Sequence, residues 1–187
     1  MGYKIIALIG KAGSGKDTIL NKVLDVNPTL HKIINSTTRE PREGEVEGID
    51  YYFLTIDQYT DKLLNNEFVE ASHKNWFYGT TYEALRSDCV NIGVFNPDSI
   101  NCMIGQNDIE LKIFYINTSS KIRLLRYLNR EEDPDVDEII RRYLSDKKDF
   151  YSLPFEYELL ENNNFDDLNI CVNTIKAAAE EFLGKSN

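Results

Sequence analysis

A short glycine-rich segment near the start of the chain constrains the fold more than any other feature. Residues 3–9 read YKIIALI, a continuous β-prone run that is typical of a strand buried on both faces of a parallel sheet. The next residues, 10–17, read GKAGSGKD and match the spacing G-x-x-x-x-G-K. Apolar residues then recur at helical spacing until Asn27 and Pro28 end the pattern. A strand, a glycine loop and a helix in this order predict a site for the phosphates of a nucleoside triphosphate.

The residue types in this loop each suit the binding of phosphate. Glycines allow a tight bend that turns backbone N–H groups toward phosphate oxygens, and the N-terminus of the following helix adds partial positive charge. Lys16 is long enough to reach the β and γ phosphates and to offset their charge during transfer. Asp17 takes the place of the usual Ser or Thr that meets Mg²⁺, and Thr18 follows it, so both are candidates for holding the Mg²⁺ that accompanies ATP. The predicted ATP-binding residues are Gly10, Ala12, Gly13, Ser14, Gly15, Lys16, Asp17 and Thr18.

Strand-like and helix-like segments alternate along most of the chain. Further strands are predicted at 32–34, 51–55, 68–73, 90–95, 111–116 and 157–160. Helices are predicted at 56–66, at 83–89, after Asp98 through about 106, from Ser119 or Ser120 onward, at 135–151 and at 166–183. The polar segment 36–50 contains Pro41, Gly44 and Gly48 and is predicted to be a loop. This alternation favours an α/β sandwich built on a parallel sheet.

The charge and composition of the chain disfavour several classes of partner. A net charge of −10 disfavours nucleic acid and anionic membrane, so any phosphate site is expected to be a local basic pocket on an acidic surface. No stretch approaches the roughly 20 apolar residues that cross a bilayer, and the first apolar run leads directly into the glycine loop. The three cysteines, Cys89, Cys102 and Cys171, are far apart and form no CxxC pair. These features predict a cytoplasmic protein with reduced thiols and with no nucleic-acid or membrane partner.

A second motif supplies two arginines on a loop. Residues 36–53 read STTREPREGEVEGIDYYF, in which Arg39 and Arg42 are close to glycine. Two guanidinium groups at this spacing can clamp one phosphate, and the hydroxyl of Tyr51 can bind the same group. The segment resembles the guanylate kinase signature T-T-R-x-x-R-x-G-E-x-x-G-x-D-Y-x-F. The matching residues are Thr37, Thr38, Arg39, Arg42, Gly44, Glu45, Gly48, Asp50, Tyr51 and Phe53.

The resemblance to guanylate kinases implies a three-layer P-loop NTPase sandwich of α/β class. Its parallel sheet would carry an inserted lobe that binds a nucleoside monophosphate (NMP) and a helical lid. Applied to this chain, the resemblance places the core in residues 1–34, 88–124 and 153–187, the NMP-binding lobe in 35–87 and the lid in 125–152.

The same resemblance implies which residues bind the acceptor nucleotide. Glu70 would accept hydrogen bonds from N1–H and the 2-amino group of guanine, a donor pair that adenine lacks. Tyr78 would bind phosphate, and Thr80 would assist at the base. Asn35 stands where the family has a serine that touches guanine O6, and its NH₂ group can donate to that oxygen. The predicted NMP-binding residues are Asn35, Arg39, Arg42, Tyr51, Glu70, Tyr78 and Thr80.

Phosphoryl transfer needs several positive charges around the transferred group. By resemblance, segment 121–142 covers the lid and supplies these charges, with Pro134 between its two helices. Arg141 is an alternative to Arg142 after the acidic loop, and Asn162 or Asn163 would lie near the adenine. The predicted catalytic residues are Lys16, Arg126, Arg130 and Arg142.

These motifs predict a kinase that moves phosphate from ATP to GMP or dGMP, as a monomer or homodimer. Asn35, together with Asn96 and Asp98 in place of the family's D-x-D, leaves open a kinase of the same fold with another (deoxy)nucleoside monophosphate acceptor. A catalytically weak guanylate kinase-like binding module is a further alternative. The intact Gly15-Lys16 pair and the arginines of the lid segment argue against that module.

Overall fold

The chain folds into strands and helices that alternate, which the computed structural model describes for residues 2–73, 76–129 and 134–184. Its strands are β1 (Tyr3–Ile9), β2 (His31–Lys32), β3 (Ser36–Thr37), β4 (Tyr52–Phe53), β5 (Phe68–His73), β6 (Phe77–Thr81), β7 (Val90–Val94), β8 (Ile109–Asn117) and β9 (Glu158–Glu161). Its helices are α1 (Lys16–Val26), α2 (Ile56–Leu64), α3 (Pro97–Met103), α4 (Ser120–Leu128), α5 (Val136–Asp149) and α6 (Phe165–Gly184). Within these ranges, no helix has the length and apolar character needed to cross a membrane.

Five strands form the central sheet in the order β2, β7, β1, β8, β9, and every neighbouring pair is parallel. The predicted α/β fold on a parallel sheet is therefore confirmed. The carboxyl ends of parallel strands meet at one edge of the sheet, where α/β proteins bind their ligands. Gly10, Thr118 and Asn162 each follow such an end directly, so they come together at this edge.

The central sheet is covered by helices on both faces. Leu8 of β1 belongs to one core cluster with Val23 of α1 and Ile175 of α6. Ile9, the next residue of β1, belongs to a second cluster with Ile100 of α3. Successive side chains of a strand point to opposite faces, so β1 is buried on both of them. This arrangement confirms the predicted three layers.

A second sheet of four strands, in the order β4, β3, β6, β5, is built from residues between 36 and 81. The loop predicted at 36–50 is wrong at its start, because Ser36–Thr37 pair with β6 in antiparallel and with β4 in parallel orientation. The sequence did not predict β6 itself. Gly79 at its centre weakens the local strand signal, and a Cβ there would lie 2.7 Å from the ring of Phe68.

The helix predicted at 83–89 is also wrong. Only a single 3-10 turn forms, at Tyr82–Ala84, and Leu85 is already extended with φ −110° and ψ 149°. The side chain of Asn91 explains this, because its Oδ1 accepts from Arg86 N and its Nδ2 donates to Arg86 O, each at 2.8 Å. The amide side chain thus takes the backbone hydrogen bonds that a helix would have needed.

Phe114 on β8 provides a test of the core. It is fully buried, so Phe114→Ala should lower the free energy of unfolding by about 3–5 kcal/mol. Leu64 on α2 is 74% exposed, and Leu64→Ala should change that free energy by no more than about 0.5 kcal/mol. Urea unfolding measures both values, and equal losses in the two variants would contradict this placement of the core.

Candidate active site

The loop of residues 10–15 joins β1 to α1 and depends on two glycines. Gly13 has φ 76° and Gly15 has φ 92°, in the left-handed region that other residues adopt only with strain. Gly15 is also crowded, since a Cβ there would lie 2.5 Å from Nδ2 of Asn162. Glycine at this position lets the loop bend directly into α1, whose first residue is Lys16.

The carbonyl oxygen of Ser14 fixes the loop to three other parts of the core. It accepts hydrogen bonds from Asn162 Nδ2 at 2.7 Å, Thr118 Oγ1 at 3.1 Å and Arg126 Nη1 at 3.1 Å. Arg126 also donates to the carbonyl of Asn162 at 2.9 Å, and desolvation by burial lowers its pKa. Arg126, predicted to be catalytic, therefore lies against the phosphate loop. Asn162, predicted near the adenine, is buried under that loop.

Lys16 is folded back on the phosphate loop. Its Nζ donates to the carbonyl of Gly10 at 2.8 Å and to that of Lys11 at 3.3 Å. Desolvation by burial lowers the pKa of Lys16, while the charges of Asp17 and Asp146 oppose that shift. A phosphate chain would offer the ammonium group charged acceptors in place of these two carbonyls.

An aspartate and an arginine that the sequence did not single out lie against the same loop. Asp146 Oδ2 accepts from Ala12 N at 2.8 Å and from Arg123 Nη1 at 3.1 Å. Arg123 Nη1 also donates to the carbonyl of Ala12 at 3.0 Å. Helical spacing could have indicated both Arg123 and Asp146, because residues three or four apart lie on the same face of a helix. Arg123 lies three residues before Arg126, and Asp146 lies four residues after Arg142.

A cavity of about 270 Å³ between the second sheet and α5 has a basic lining and is called the basic cavity below. Arg39 there pairs with Glu45 at 2.9 Å and lies over the ring of Tyr51, 5.4 Å from its centroid. Burial, and then the charges of Arg142 and Arg39, lower the pKa of Arg42. A bound phosphate would relieve this crowding of cations. The arginines that line the cavity are Arg39, Arg42, Arg141 and Arg142.

A second cavity of about 290 Å³, called the base cavity below, extends from Lys16 to Glu70. Glu70 is only 4% exposed, and desolvation raises its pKa although the nearby Ser99 and Thr80 hydroxyls oppose that shift. Thr80 Oγ1 lies 2.8 Å from Glu70 Oε1 and also 2.8 Å from Asn35 Oδ1. Among the described residues, Glu70 Oε2 has no hydrogen-bond partner. A buried carboxylate oxygen of this kind suits a ligand that donates hydrogen bonds.

Tyr78 lies where the two cavities meet, and Tyr51 lies next to it. Tyr78 lines both cavities, Tyr51 lines the base cavity, and their ring centroids are 6.3 Å apart. Burial raises the pKa of Tyr51 to about 12, so its hydroxyl stays protonated and able to donate. The sequence-predicted NMP-binding residues are thus brought together around two adjoining cavities.

The family model for guanylate kinase matches residues 2–179 of the chain. The chain belongs to the guanylate kinase family. It is 31% identical over 169 residues to the guanylate kinase of Maricaulis maris, covering 86% of this chain and 76% of that protein. Over 85 residues it is 44% identical to the guanylate kinase of Mesomycoplasma hyopneumoniae strain 7448, covering 44% of this chain and 43% of that protein. A crystal structure of guanylate kinase from Anaplasma phagocytophilum shares the fold, with a TM-score of 0.69 and 19% identity over 96% of this chain and 85% of that one.

Two of the lid arginines predicted from the guanylate kinase family lie within the described residues. One is Arg126, and the other is Arg142, which lines the basic cavity and donates to Glu138 Oε1 at 2.7 Å. Arg141 holds the same carboxylate through Nε at 2.6 Å and Nη2 at 2.8 Å. Arg130 lies outside the described residues, so its role stays a prediction.

Two of the positions that depart from the family's pattern, Asn35 and Asn96, line the base cavity. Asn35 Nδ2 donates to the carbonyl of Val94 at 3.0 Å, which leaves its second N–H for a ligand. Asn96 lines the base cavity and caps α3 by accepting from Ser99 N at 2.9 Å. Asp98 is exposed in the first turn of α3. Of the two stand-ins for the family's aspartates, Asn96 is the one that lines this cavity.

Asp17 and Thr18 lie exposed in the first turn of α1, next to Lys16. Carboxylate and hydroxyl oxygens are the ligands that Mg²⁺ prefers, and in nucleotide sites Mg²⁺ is held by one or two of them together with phosphates and water. The oxygens present therefore fit a Mg²⁺ ion that arrives with ATP. That Asp17 or Thr18 holds the Mg²⁺ ion stays a prediction.

Glu138 provides a pH test of the arginine arrangement on α5. The hydrogen bond from Arg141, together with that from Arg142 and against the effect of burial, lowers the pKa of Glu138 from 4.5 to about 2. Its ionised form therefore stabilises the fold above about pH 4.5, and this contribution is lost as the pH falls toward 2. Because the pair is partly exposed, Glu138→Gln should lower the free energy of unfolding at pH 7 by about 1 kcal/mol or less.

Urea unfolding of both proteins at pH 7 and pH 3 measures the effect. The difference between the wild type and Glu138→Gln should be smaller at pH 3. An equal difference at the two pH values would contradict the ion pair.

Proposed function

We propose that this chain transfers the γ-phosphate of ATP to GMP, giving ADP and GDP, and that it accepts dGMP as well. The buried carboxylate of Glu70 carries this proposal, because Glu70 lines the base cavity and its Oε2 has no hydrogen-bond partner among the described residues. Guanine offers N1–H and the 2-amino group side by side, and a carboxylate accepts both. Adenine has neither donor at these atoms, so it would leave a buried charge unpaired, which sites of this kind reject strongly.

The joining of the two cavities supports a monophosphate as acceptor. Ala12 and Tyr78 line both cavities, so a nucleotide with its base at Glu70 can place its phosphate toward the arginines. Arg39 is already neutralised in part by Glu45, whereas Arg42 faces two other cations. A phosphate dianion at this place supplies the negative charge that the cluster needs.

The phosphate loop supports ATP as the donor. Lys16 would exchange the carbonyls of Gly10 and Lys11 for the β and γ phosphates. An oxygen of the GMP phosphate then attacks the γ-phosphorus, the bond to the β–γ bridging oxygen breaks, and ADP leaves. Held by Asp17 or Thr18, Mg²⁺ bound with ATP would supply further charge neutralisation at the phosphate oxygens.

We also propose that residues 35–87 form the NMP-binding lobe and that the core and lid follow the boundaries predicted above. The position of the second sheet, between residues 36 and 81, supports the first of these boundaries. The cytoplasmic location and the monomeric or homodimeric state stay predictions from the sequence.

Lys16→Ala tests the phosphate loop. Loss of the ammonium group should lower kcat for GMP phosphorylation by about a hundredfold or more, since the charge acts mainly on the transferred group. Lys22→Ala is the matched control, because Lys22 is exposed on the same helix, and its kcat should change by less than about twofold. A coupled assay of ADP release gives both values. Equal kcat values in the two variants would contradict a role of Lys16 in phosphoryl transfer.

Glu70→Gln tests the recognition of guanine. The variant places an NH₂ donor or a neutral acceptor against two guanine donors, so kcat/KM for GMP should fall by about tenfold to a hundredfold. Activity with AMP should not fall in parallel. The control is Glu67→Gln, since Glu67 is a partly exposed acid just before the same strand that pairs with Lys62, and it should behave as the wild type does. A Glu70→Gln enzyme that still prefers GMP over AMP to the wild-type degree would contradict the assignment.

A further inference from the structure

The carboxylate of Asp146 lies against the phosphate loop, bound by groups that suit any anion. Its Oδ2 is 2.8 Å from Ala12 N and 3.1 Å from Arg123 Nη1. Asp146 also lines both the basic cavity and the base cavity. A backbone N–H and a guanidinium group bind a carboxylate and a phosphate in the same way.

We propose that Asp146 is an intramolecular occupant of the phosphate site and that the phosphate chain of ATP displaces it. This inference depends on the proposed binding of ATP at the loop. One backbone N–H cannot serve two anions, and placing a second negative charge beside the first costs free energy. ATP binding at Ala12 therefore requires that the Asp146 carboxylate leave.

Arg123 is the group that exchanges one anion for the other. It is only 4% exposed, and its Nε has no partner among the described side-chain contacts. A buried guanidinium that loses its carboxylate and gains nothing is strongly unfavourable. Arg123 stays on the loop through the carbonyl of Ala12, at 3.0 Å, so an arriving phosphate takes over as its ionic partner.

The exchange also affects the lysine of the loop and helix α5. The negative charge of Asp146 acts on Lys16, whose Nζ is held by two loop carbonyls. When Asp146 leaves, Arg123 faces the arriving phosphates without its carboxylate partner, and Asp17 stays as the neighbouring acid of Lys16. Asp146 lies one helical turn after Arg142 on α5, so the displacement acts on the helix that carries the arginine of the basic cavity.

The variant Asp146→Asn distinguishes an occupant of the phosphate site from a residue that only stabilises the fold. Asparagine keeps the shape and can still accept from Ala12, but it does not carry the competing charge. The dissociation constant for ATP with Mg²⁺, measured by calorimetry, should fall by about fivefold or more relative to the wild type. The ligand-free variant should melt at a lower temperature, because Arg123 loses its partner, and saturating ATP should close that gap. Asp137→Asn, with the same change of charge at an exposed position of α5, should leave both measurements unchanged.

Each outcome decides between the two roles. If Asp146 only stabilised the fold, Asp146→Asn would weaken ATP binding and would lower the melting temperature both with and without ATP. Weaker or unchanged affinity for ATP in this variant would overturn the proposal. If the variant does not fold, NMR of the wild type decides, since the Asp146 carboxyl carbon and the Ala12 amide should both shift at saturating ATP. An unshifted Asp146 carboxyl would overturn the proposal. A wild type that binds no ATP would instead contradict the proposed function, and this inference would fall with it.

Discussion

The carbonyl oxygen of Ser14 accepts hydrogen bonds from three side chains on separate elements, and the phosphate loop depends on them. Thr118 follows β8, Asn162 follows β9 and Arg126 lies on α4. These elements meet at the loop because the strands of the central sheet are parallel and end at the same edge. The Ala12 amide lies on the same loop and donates to the carboxylate of Asp146. The donor half of the site is thus a direct result of the sheet topology.

The distribution of carboxylates explains how an acidic chain can bind nucleotides. The chain carries a net charge of −10, yet three acids near the site are paired with arginines: Glu45, Glu138 and Asp146. Glu70 differs from them, because it lines the base cavity and one of its oxygens has no partner among the described residues. In the proposed function, the paired acids hold cations in position for phosphate, whereas Glu70 suits a base that donates hydrogen bonds. Acidic residues are therefore proposed to have two roles here, depending on whether an arginine is their partner.

Local patterns in the sequence were enough for the loop between β1 and α1, the parallel sheet and the arginines of the basic cavity. The loop, the single strands and each pair of arginines are marked by residues close together in the chain, although the sheet and the cavity then join distant segments. The short strand β6 was not predicted, because Gly79 interrupts its apolar pattern. Strand β3 was predicted as loop, because its partner β6 was not recognised in the sequence. The contact of Asp146 with Ala12 spans 134 residues, and that of Asn162 with Ser14 spans 148. Contacts of this kind are set by tertiary packing, so only the shared helix face of Asp146 and Arg142 gave a hint.

Acceptor preference tests the central claim most directly. ADP release would be followed with ATP and Mg²⁺ against GMP, dGMP, AMP, CMP, UMP and dTMP under the same conditions. A clear preference in kcat/KM for GMP and dGMP is the expected result, because only guanine supplies two donors to Glu70 together with an acceptor for Asn35. Equal or faster turnover with AMP or a pyrimidine nucleotide, or no turnover with any acceptor, would contradict the account.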